Sequence, residues 1–219
     1  PRPLALSLYQ RLIGNQTWSA ARSAIGYRDV RPVPLIVSLS GRPYVDVRAS
    51  FNSFLPKDLD DSVGTSWVNH CLSMLDKNGS LHDKVEFEVA ITCLTFNFDQ
   101  DAQRLLDAGL SSAEVAKFRK ALLSLTDKIL TGNVVSIQSE RAQLYKLSKR
   151  REHWMKHRIS GSAGLARRID TLLSDCEIYG VLPFSILARY AFIATSLLHS
   201  LKSVGIFSDE DSEKLLRSI

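Results

Sequence analysis

The sequence lacks the short motifs by which many nucleotide-binding proteins and hydrolases are recognised. Its 219 residues contain no GxxxxGKS/T loop, no GxGxxG loop and no GxSxG nucleophile elbow. No serine, cysteine or histidine stands in a recognisable setting for a nucleophile. We therefore expect no catalytic residue within this chain, and the sequence argues against an enzyme that acts alone.

Cysteine is scarce. The three cysteines, Cys71, Cys93 and Cys176, are odd in number, lie far apart and form no CxxC pair. This spacing argues against a disulfide framework and against a zinc site, and it favours a reducing compartment. We therefore expect a cytoplasmic location.

Long uncharged apolar runs are also missing. The most apolar window, residues 181–207, is interrupted by Arg189, His199 and Lys202. Its longest uncharged run is therefore too short to span a bilayer. We interpret this window as a core helix and expect no membrane partner.

The basic charge of the chain is concentrated in one place. An apolar content of 45% and a net charge of +5 are those of an ordinary, mildly basic globular protein, but the excess lies in residues 146–158, on a predicted helix. Such a helix can bind an anionic partner such as nucleic acid, or it can face solvent or a neighbouring domain. Because no base-reading motif or stacking aromatic platform accompanies it, the sequence favours the second interpretation and argues against nucleic acid.

Two histidines lie within the same basic run. His153 and His157 are four residues apart, a spacing that can place two imidazoles on one metal ion. The HExxH pattern is absent, no third ligand is evident, and the surrounding arginines and lysines disfavour a cation. We expect no metal site in this chain.

Apolar periodicity and turn residues predict an α+β fold that is predominantly α-helical. In the front third, residues 35–39 and 44–48 have the composition of two strands of a hairpin. Residues 85–97 have that of a third strand, because they alternate and are β-branched and aromatic. Helical spacing dominates from residue 99 to the end, with a capping box at Ser111. We therefore expect a small antiparallel sheet in the front third, packed on a helical back half.

The predicted organisation is one domain over residues 1–219. A front α+β part covers about residues 1–98 and a helical part about residues 99–219. The chain begins at Pro1, without an initiator methionine. We expect it to be a fragment of a longer multidomain protein.

Residues 40–56, SGRPYVDVRASFNSFLP, combine a turn, a predicted strand and several polar side chains. Asp46 and Arg48 are two positions apart, so on a strand their side chains would share one face. There they would form either a structural ion pair or a substrate clamp, since arginine binds carboxylate or phosphate groups through two parallel hydrogen bonds.

A second polar group stands just before the third predicted strand. His82, Asp83 and Lys84 supply a base, an acid and a cation at a strand end, where loops often carry chemistry. Equally, Asp83 can cap a turn and Lys84 can pair with Glu86 or Glu88. Composition alone leaves both interpretations open.

Five segments carry a resemblance to a known family: PRPLALSLY, GYRDVRPVPLIVS, GRPYVDVRASFNSFLP, LHDKVEFEV and YGVLPFSILARYAFIA. They resemble the central region of bacterial phosphoenolpyruvate synthase-like proteins, which are related to phosphoenolpyruvate synthase and pyruvate phosphate dikinase. The resemblance covers most of the chain and is densest before Val89. Residues 146–158 and the last helix are the least similar.

The resemblance implies a phosphoryl-transfer context, with ATP and Mg²⁺ in the parent protein and a phosphohistidine intermediate in related enzymes. It places the nucleotide-binding residues upstream, and no phosphohistidine motif of the Thr-Ser-His type is present, so we expect no cofactor in this chain. The chain would then be a non-catalytic middle domain that positions a phosphorylated or carboxylate small molecule, or docks neighbouring domains of the same polypeptide. Its substrate-binding surface would contain Arg28, Arg31, Asp46, Arg48, Asn52, His82, Asp83 and Lys84. The alternative is a standalone module that uses residues 146–158 on an anionic partner.

Overall fold

The computed structural model describes residues 3–157 and 159–218. Within these residues the chain is predominantly helical, with one two-stranded antiparallel sheet, which confirms the predicted fold class. In chain order the elements are α1 (Pro3–Tyr9), α2 (Thr17–Ala24), β1 (Ile36–Leu39), β2 (Arg42–Val45), α3 (Val47–Asn52), α4 (Asp61–Lys77), α5 (Phe98–Asp107), α6 (Ser112–Leu130), α7 (Ile137–Lys156), α8 (Ser162–Cys176), α9 (Leu182–Ser203) and α10 (Asp209–Arg217). Single π-helical turns lie at Gln10–Gly14, Val85–Val89 and Glu177–Val181.

The hairpin forms where the sequence predicts it. β1 and β2 pair in antiparallel register, and the two residues between them, Ser40 and Gly41, both have positive φ, the geometry that two-residue hairpin turns favour. Ile36 of β1 is buried against Gly14, where a Cβ atom would lie 2.7 Å from the Ile36 Cδ1 atom. The hairpin is thereby anchored on the N-terminal segment.

The second strand is shorter than predicted, and Asp46 and Arg48 do not share a strand face. The strand ends at Val45, and Asp46 caps helix α3 by accepting a hydrogen bond of 2.9 Å from the Ala49 backbone amide. Aspartate is a strong N-cap residue because its carboxylate satisfies an amide that has no partner inside the helix. The capping aspartate, not the strand propensity of Val47, decides the structure here.

The predicted third strand does not form. Residues 85–89 make a π-helical turn, and the extended residues after it join no sheet within the described part of the chain. Their backbone groups are satisfied by side chains instead. The Tyr27 hydroxyl donates to the Thr92 carbonyl at 2.6 Å, and Thr126 and Ser200 accept from the Leu94 and Phe96 amides.

The capping box predicted at Ser111 forms, and a second one is present at Ser208. The Ser111 hydroxyl accepts from the Glu114 amide, and the Glu114 carboxylate accepts from the Ser111 amide. Ser208 and Asp211 form the same reciprocal pair at the start of α10. Each box satisfies two amides that would otherwise lack partners, so it sets where the helix begins.

Gly180 does not end a helix, although glycine commonly follows the last turn of one. α8, the turn Glu177–Val181 and α9 run on without a break, although Pro183 lies in the first turn of α9. A Cβ atom at Gly180 would lie 3.0 Å from the Leu147 Cδ2 atom, so this glycine allows α7 to approach closely. The π-helical turn next to Pro183 accommodates the missing amide.

The continuous helix over residues 162–203 carries apolar side chains on its exposed surface as well as on the face that packs in the core. Among the described residues it is the one helix long and apolar enough to span a membrane by length and composition, and 22% of its most apolar stretch is buried in the protein. Ile186 and Ile193 are buried, whereas Phe184 is exposed. The predicted core helix is therefore a core helix on one face only.

Two hydrophobic clusters form the interior, and each contains residues from both sides of position 98. The larger cluster joins α4, α5 and α6, with Trp67 and Phe118 in edge-to-face contact at its centre. The smaller cluster joins α2, α6 and α9 through Ala21, Leu125 and Ile193. Burial of these apolar side chains is the main force that holds the front and back parts together.

Cysteine burial yields a first prediction. Burial raises the pKa of the Cys71 thiol to about 12 and that of Cys93 to about 11, so neither forms thiolate near neutral pH. We expect iodoacetamide to leave both unmodified in the folded chain and to modify the half-buried Cys176 first. Mass spectrometry with and without urea measures this. Equal modification of Cys71 and Cys176 in the folded chain would contradict the buried placement.

Candidate functional site

A cluster of three charged side chains lies inside the protein at the meeting point of distant segments. Arg22 comes from α2, Glu86 from the turn Val85–Val89 and Arg189 from α9. The Arg189 Nη1 atom donates to the Glu86 Oε1 atom, and the Arg22 Nη2 atom lies 3.8 Å from the Glu86 Oε2 atom. The three side chains are only 16%, 23% and 5% exposed, in chain order. Two guanidinium groups thus share one carboxylate, which leaves one positive charge uncompensated.

Aromatic rings form the walls of this cluster. The Arg22 guanidinium carbon lies 3.7 Å from the centre of the Phe54 ring and 5.0 Å from that of Trp18. The Arg189 guanidinium carbon lies 5.5 Å from the Phe54 ring and 5.3 Å from the Phe192 ring. Ring faces attract cations, most strongly where water is excluded. The aromatic walls therefore help to stabilise the excess positive charge.

The two guanidinium groups have more donors than the described residues satisfy. Each carries five N–H donors. The Arg22 Nη1 atom donates to the Ser53 hydroxyl, while the Arg189 Nε atom is buried with no hydrogen-bond partner. The pKa of Arg22 is lowered to about 10, mainly by burial; Glu86 opposes this shift and the nearby Arg189 contributes to it. Arg22 is still cationic at neutral pH, so the site retains both charge and free donors for an acceptor.

A cavity of about 550 Å³ adjoins the cluster, with Glu86 in its wall. This volume is within the range typical of small-molecule sites. Residues 86–104 form one side and α9 the other, from which Ser196, His199 and Ser200 contribute. The Thr95 hydroxyl, also in the wall, is buried without a partner. The cavity is thus lined mainly by hydrogen-bonding groups.

Arg104 is the one arginine in the cavity wall, and it holds the turn that carries Glu86. Its Nη2 atom donates to the Val89 carbonyl at 2.5 Å, and its Nη1 atom lies 2.9 Å from the Asp101 carboxylate. Burial raises the pKa of Asp101, an effect that Arg104 opposes. We interpret Arg104 as a positioning residue, because it fixes the backbone immediately after Glu86.

Arg28 and Arg31, both predicted to bind substrate, have partners within the protein. The Arg28 Nη2 atom donates to the Leu59 carbonyl at 2.9 Å and lies 3.1 Å from the Asp61 carboxylate. Arg31 binds the Asp29 carboxylate through two nitrogens, and this hydrogen bonding lowers the pKa of Asp29 to about 2. Both side chains therefore stabilise the loop that precedes β1.

Of the remaining predicted side chains, all but Asp83 have a hydrogen-bond or ion-pair partner within the described residues. Arg48 donates to the Asn69 side chain at 2.9 Å, and Asn52 donates to the Arg48 carbonyl. His82 lies 3.2 Å from the Leu75 carbonyl, and Lys84 pairs with Glu88 at 2.9 Å. Asp46 is the α3 cap described above, and Asp83 is exposed.

Three of these contacts show how the predicted residues are distributed. Arg28 contacts Asp61 at the start of α4, Arg48 contacts Asn69 in its middle, and His82 contacts Leu75 near its end. At 1.5 Å per residue, the two ends of this series are about 20 Å apart along the helix. Three of the eight predicted residues thus contact α4 at points spread along its length, and none of the eight lines the cavity described above. Their role in substrate binding stays a prediction.

Sequence reasoning missed Arg22 and Arg189, and it treated Glu86 only as a partner for Lys84. The sequence contains one signal for Arg189, which is the single charged residue in a long apolar stretch. In the structure this side chain is buried, with Arg189 4% exposed. A charged side chain in such a stretch requires a buried partner. Nothing in the sequence shows which residue that partner is.

The basic run lies mainly on α7, and Arg158 lies outside the described residues. Lys146, Lys149, Arg150 and His153 share one groove with Trp154. Part of this charge is already neutralised, since Arg150 lies 2.8 Å from the buried Asp175 and Lys149 lies 3.5 Å from Glu152. Within the described residues, no group of three or more potential metal ligands is present.

Comparison with known proteins assigns no role to these residues. No protein-family model matches the chain, and neither a curated protein nor a solved structure matches it.

Proposed function

We propose that this chain is a central, non-catalytic region of a phosphoenolpyruvate synthase-like phosphotransferase. In this proposal it positions an anionic substrate and docks the ATP-binding and phosphoryl-carrying domains of the same polypeptide. The proposal is supported mainly by the positions of the five segments in which we see a resemblance to this family, because most of them meet at the charged cluster. Four of the five segments contribute a residue to the charged cluster or to its immediate surroundings.

The contributions come from distant parts of the chain. Tyr27 belongs to GYRDVRPVPLIVS, Phe54 to GRPYVDVRASFNSFLP, Glu86 to LHDKVEFEV and Arg189 to YGVLPFSILARYAFIA. Phe54 packs edge-to-face against Tyr27 at 6.4 Å and faces both arginines of the cluster. Segments that resemble one family and fold around one charged cluster support a shared role for that cluster.

The chemistry of the cluster suggests which role this chain has and which roles belong to the neighbouring domains. Arginine pairs suit the binding of carboxylate and phosphate groups, and they act by charge and geometry without reacting. Phosphoryl transfer depends mainly on positioning and on electrostatic stabilisation of the transferred group. ATP and Mg²⁺ would be bound by the neighbouring domains of a cytoplasmic parent protein. This chain would hold the acceptor or product.

A calorimetric titration of this chain tests the proposal. We expect phosphoenolpyruvate or pyruvate to bind, and ATP–Mg²⁺ to bind weakly or not at all. The same ligands are titrated into Arg189→Lys, which keeps the charge but loses the planar fork, and into Arg119→Lys, a control at an exposed arginine of α6. Weaker binding in Arg189→Lys alone supports the proposal. Absence of binding by both phosphoenolpyruvate and pyruvate would overturn its substrate-positioning part.

The α7 groove supports the alternative function, a module that binds an anionic partner such as nucleic acid. Its basic side chains lie beside Trp154, an arrangement that can bind phosphates and stack on a base. Two observations weigh against it. Arg150 and Lys149 already have acidic partners, and the family-like segments meet elsewhere. We therefore favour the substrate-positioning function.

A further inference from the structure

We propose that the 550 Å³ cavity between residues 86–104 and α9 binds a neutral carbohydrate, a mono- or disaccharide, through the hydroxyl groups of the sugar. Its volume lies within the range of small-molecule sites. The proposal concerns the cavity itself and not the arginine pair beside it. It therefore goes beyond the proposed function and does not rest on it.

The two walls of the cavity are fixed to each other by contacts within the protein. Near one end, the Arg189 Nη1 atom donates to the Glu86 carboxylate. Near the other end, the Ser200 hydroxyl accepts a hydrogen bond of 3.2 Å from the Phe96 amide. Arg189 and Ser200 are eleven residues apart on α9, which is about 16 Å along the helix axis. A cavity held in this way loses little conformational freedom when a ligand binds.

Charge balance in the wall favours a neutral ligand. Three carboxylates line the cavity, and each has a cationic partner within the protein. The pairs are Glu86–Arg189, Glu88–Lys84 and Asp101–Arg104. An anion would be repelled by these carboxylates. A cation would compete with their partners and would lie near the excess positive charge of the neighbouring cluster. A molecule without charge avoids both costs.

The α9 wall offers hydrogen-bond acceptors. Its residues share one face of the helix and are Thr195, Ser196, His199, Ser200 and Ser203. The Thr195 hydroxyl donates to the Ala191 carbonyl at 2.9 Å, and the Ser196 hydroxyl donates to the Phe192 carbonyl at 3.0 Å. Each hydroxyl has a single proton, so its oxygen lone pairs are left to accept from a ligand.

These acceptors define the chemistry of the ligand. The ionised carboxylates of the opposite wall also accept and do not donate. A cavity whose two walls mainly accept hydrogen bonds suits a ligand with many donors. Among neutral molecules, sugars present such donors most densely, because most of their carbon atoms carry a hydroxyl group. Keto and carboxylate groups, which only accept, find few partners here.

An exposed aromatic ring in the same wall matches the apolar side of a sugar. Phe87 is 62% exposed, and its ring meets the Phe192 ring edge-to-face at 5.0 Å. This contact orients the Phe87 ring at the open side of the cavity. A sugar ring has a face made of C–H bonds, which packs on an aromatic ring, while the hydroxyl groups at its edge donate to acceptors. The cavity offers a partner for each part.

The first test is saturation-transfer difference NMR of the whole chain with glucose, galactose, mannose and maltose as probes. We expect at least one of these neutral sugars to bind. The amino sugar and the uronic acid of the same stereochemistry are then titrated. We expect both to bind about tenfold more weakly, because each brings a charge into a wall whose charges are already paired.

Substitutions in the wall locate the bound sugar. Thr195→Val removes the hydroxyl of an exposed residue and keeps its shape, and Phe87→Ala removes the exposed ring. We expect each to weaken sugar binding about fivefold or more and to leave the melting temperature nearly unchanged.

Two matched controls lie outside the cavity wall. Thr171 donates to the Arg167 carbonyl with the same spacing on α8, and Phe184 is 65% exposed on α9. We expect Thr171→Val and Phe184→Ala to bind the sugar as the wild-type chain does.

The contrary results are distinct from one another. Absence of binding by all four neutral sugars would overturn the proposal. Equal or tighter binding of the amino sugar or the uronic acid would overturn the neutral ligand class. Binding that ignores both Thr195→Val and Phe87→Ala would show that the sugar lies elsewhere. None of these results bears on the proposed function, which is tested separately by phosphoenolpyruvate, pyruvate and Arg189→Lys.

Discussion

Replacing Phe118 by alanine is expected to lower the free energy of unfolding by about 3–5 kcal/mol. Phe118 lies on α6 and is fully buried in the larger hydrophobic cluster. Its ring meets the Trp67 ring edge-to-face at 6.3 Å, so the substitution removes an aromatic contact as well as apolar volume. The helices around it come from both parts of the chain, and they would have to shift inward relative to one another to close the resulting cavity. Urea denaturation monitored by tryptophan fluorescence and circular dichroism measures the loss.

Leu123→Ala is the control on the same helix. Its side chain is 50% exposed, so truncation removes little buried surface and leaves no internal cavity. We expect the free energy of unfolding to change by less than about 1 kcal/mol. A similar loss in both variants would mean that α6 does not present Phe118 to the core.

Replacing Glu86 by alanine is expected to lower the free energy of unfolding by about 3–5 kcal/mol, the range for breaking a buried ion pair. The variant leaves Arg22 and Arg189 cationic, largely buried and without a carboxylate. Their mutual repulsion, now unopposed, adds to the cost of keeping them out of water. Thermal and urea unfolding at neutral pH measure the effect.

Two variants separate this electrostatic cause from the loss of a side chain. Glu88→Ala truncates the neighbouring glutamate, which is half exposed and paired with Lys84, and should cost less than about 1 kcal/mol. The double variant Glu86→Ala with Arg189→Met removes one cation together with the carboxylate. We expect it to be more stable than Glu86→Ala alone, because only one buried charge is left unpaired. If the double variant is the less stable, Glu86 does not act as the counterion.

The stretch of residues 40–56 shows how far local sequence signals determine the structure. The turn at Ser40 and Gly41 is encoded locally, because positive φ at consecutive positions is a property of the residues themselves. Asp46 was in the same stretch, and its capping ability is equally local. Strand propensity and helix capping compete there, and capping prevails.

Residues 85–97 show where local signals stop. Their alternation is a real strand signal, yet a strand requires a neighbour with free backbone groups, and the described fold offers none at that place. Tyr27, Thr126 and Ser200 instead satisfy the extended backbone with their side chains. These three residues are far from one another in the chain, so no window of the sequence predicts their meeting.

The sequence by itself determined the class of the fold and most helix positions. Apolar periodicity, the capping boxes at Ser111 and Ser208 and the hairpin turn act through neighbouring residues, and their physics needs no knowledge of the rest of the chain. Only the tertiary structure decided the candidate site. Arg189 and Glu86 are 103 positions apart, and their pairing follows from helix packing that removes both from water. A charge becomes costly to leave unpaired only once the surrounding core has formed, so the partner of each buried charge is a property of the folded protein.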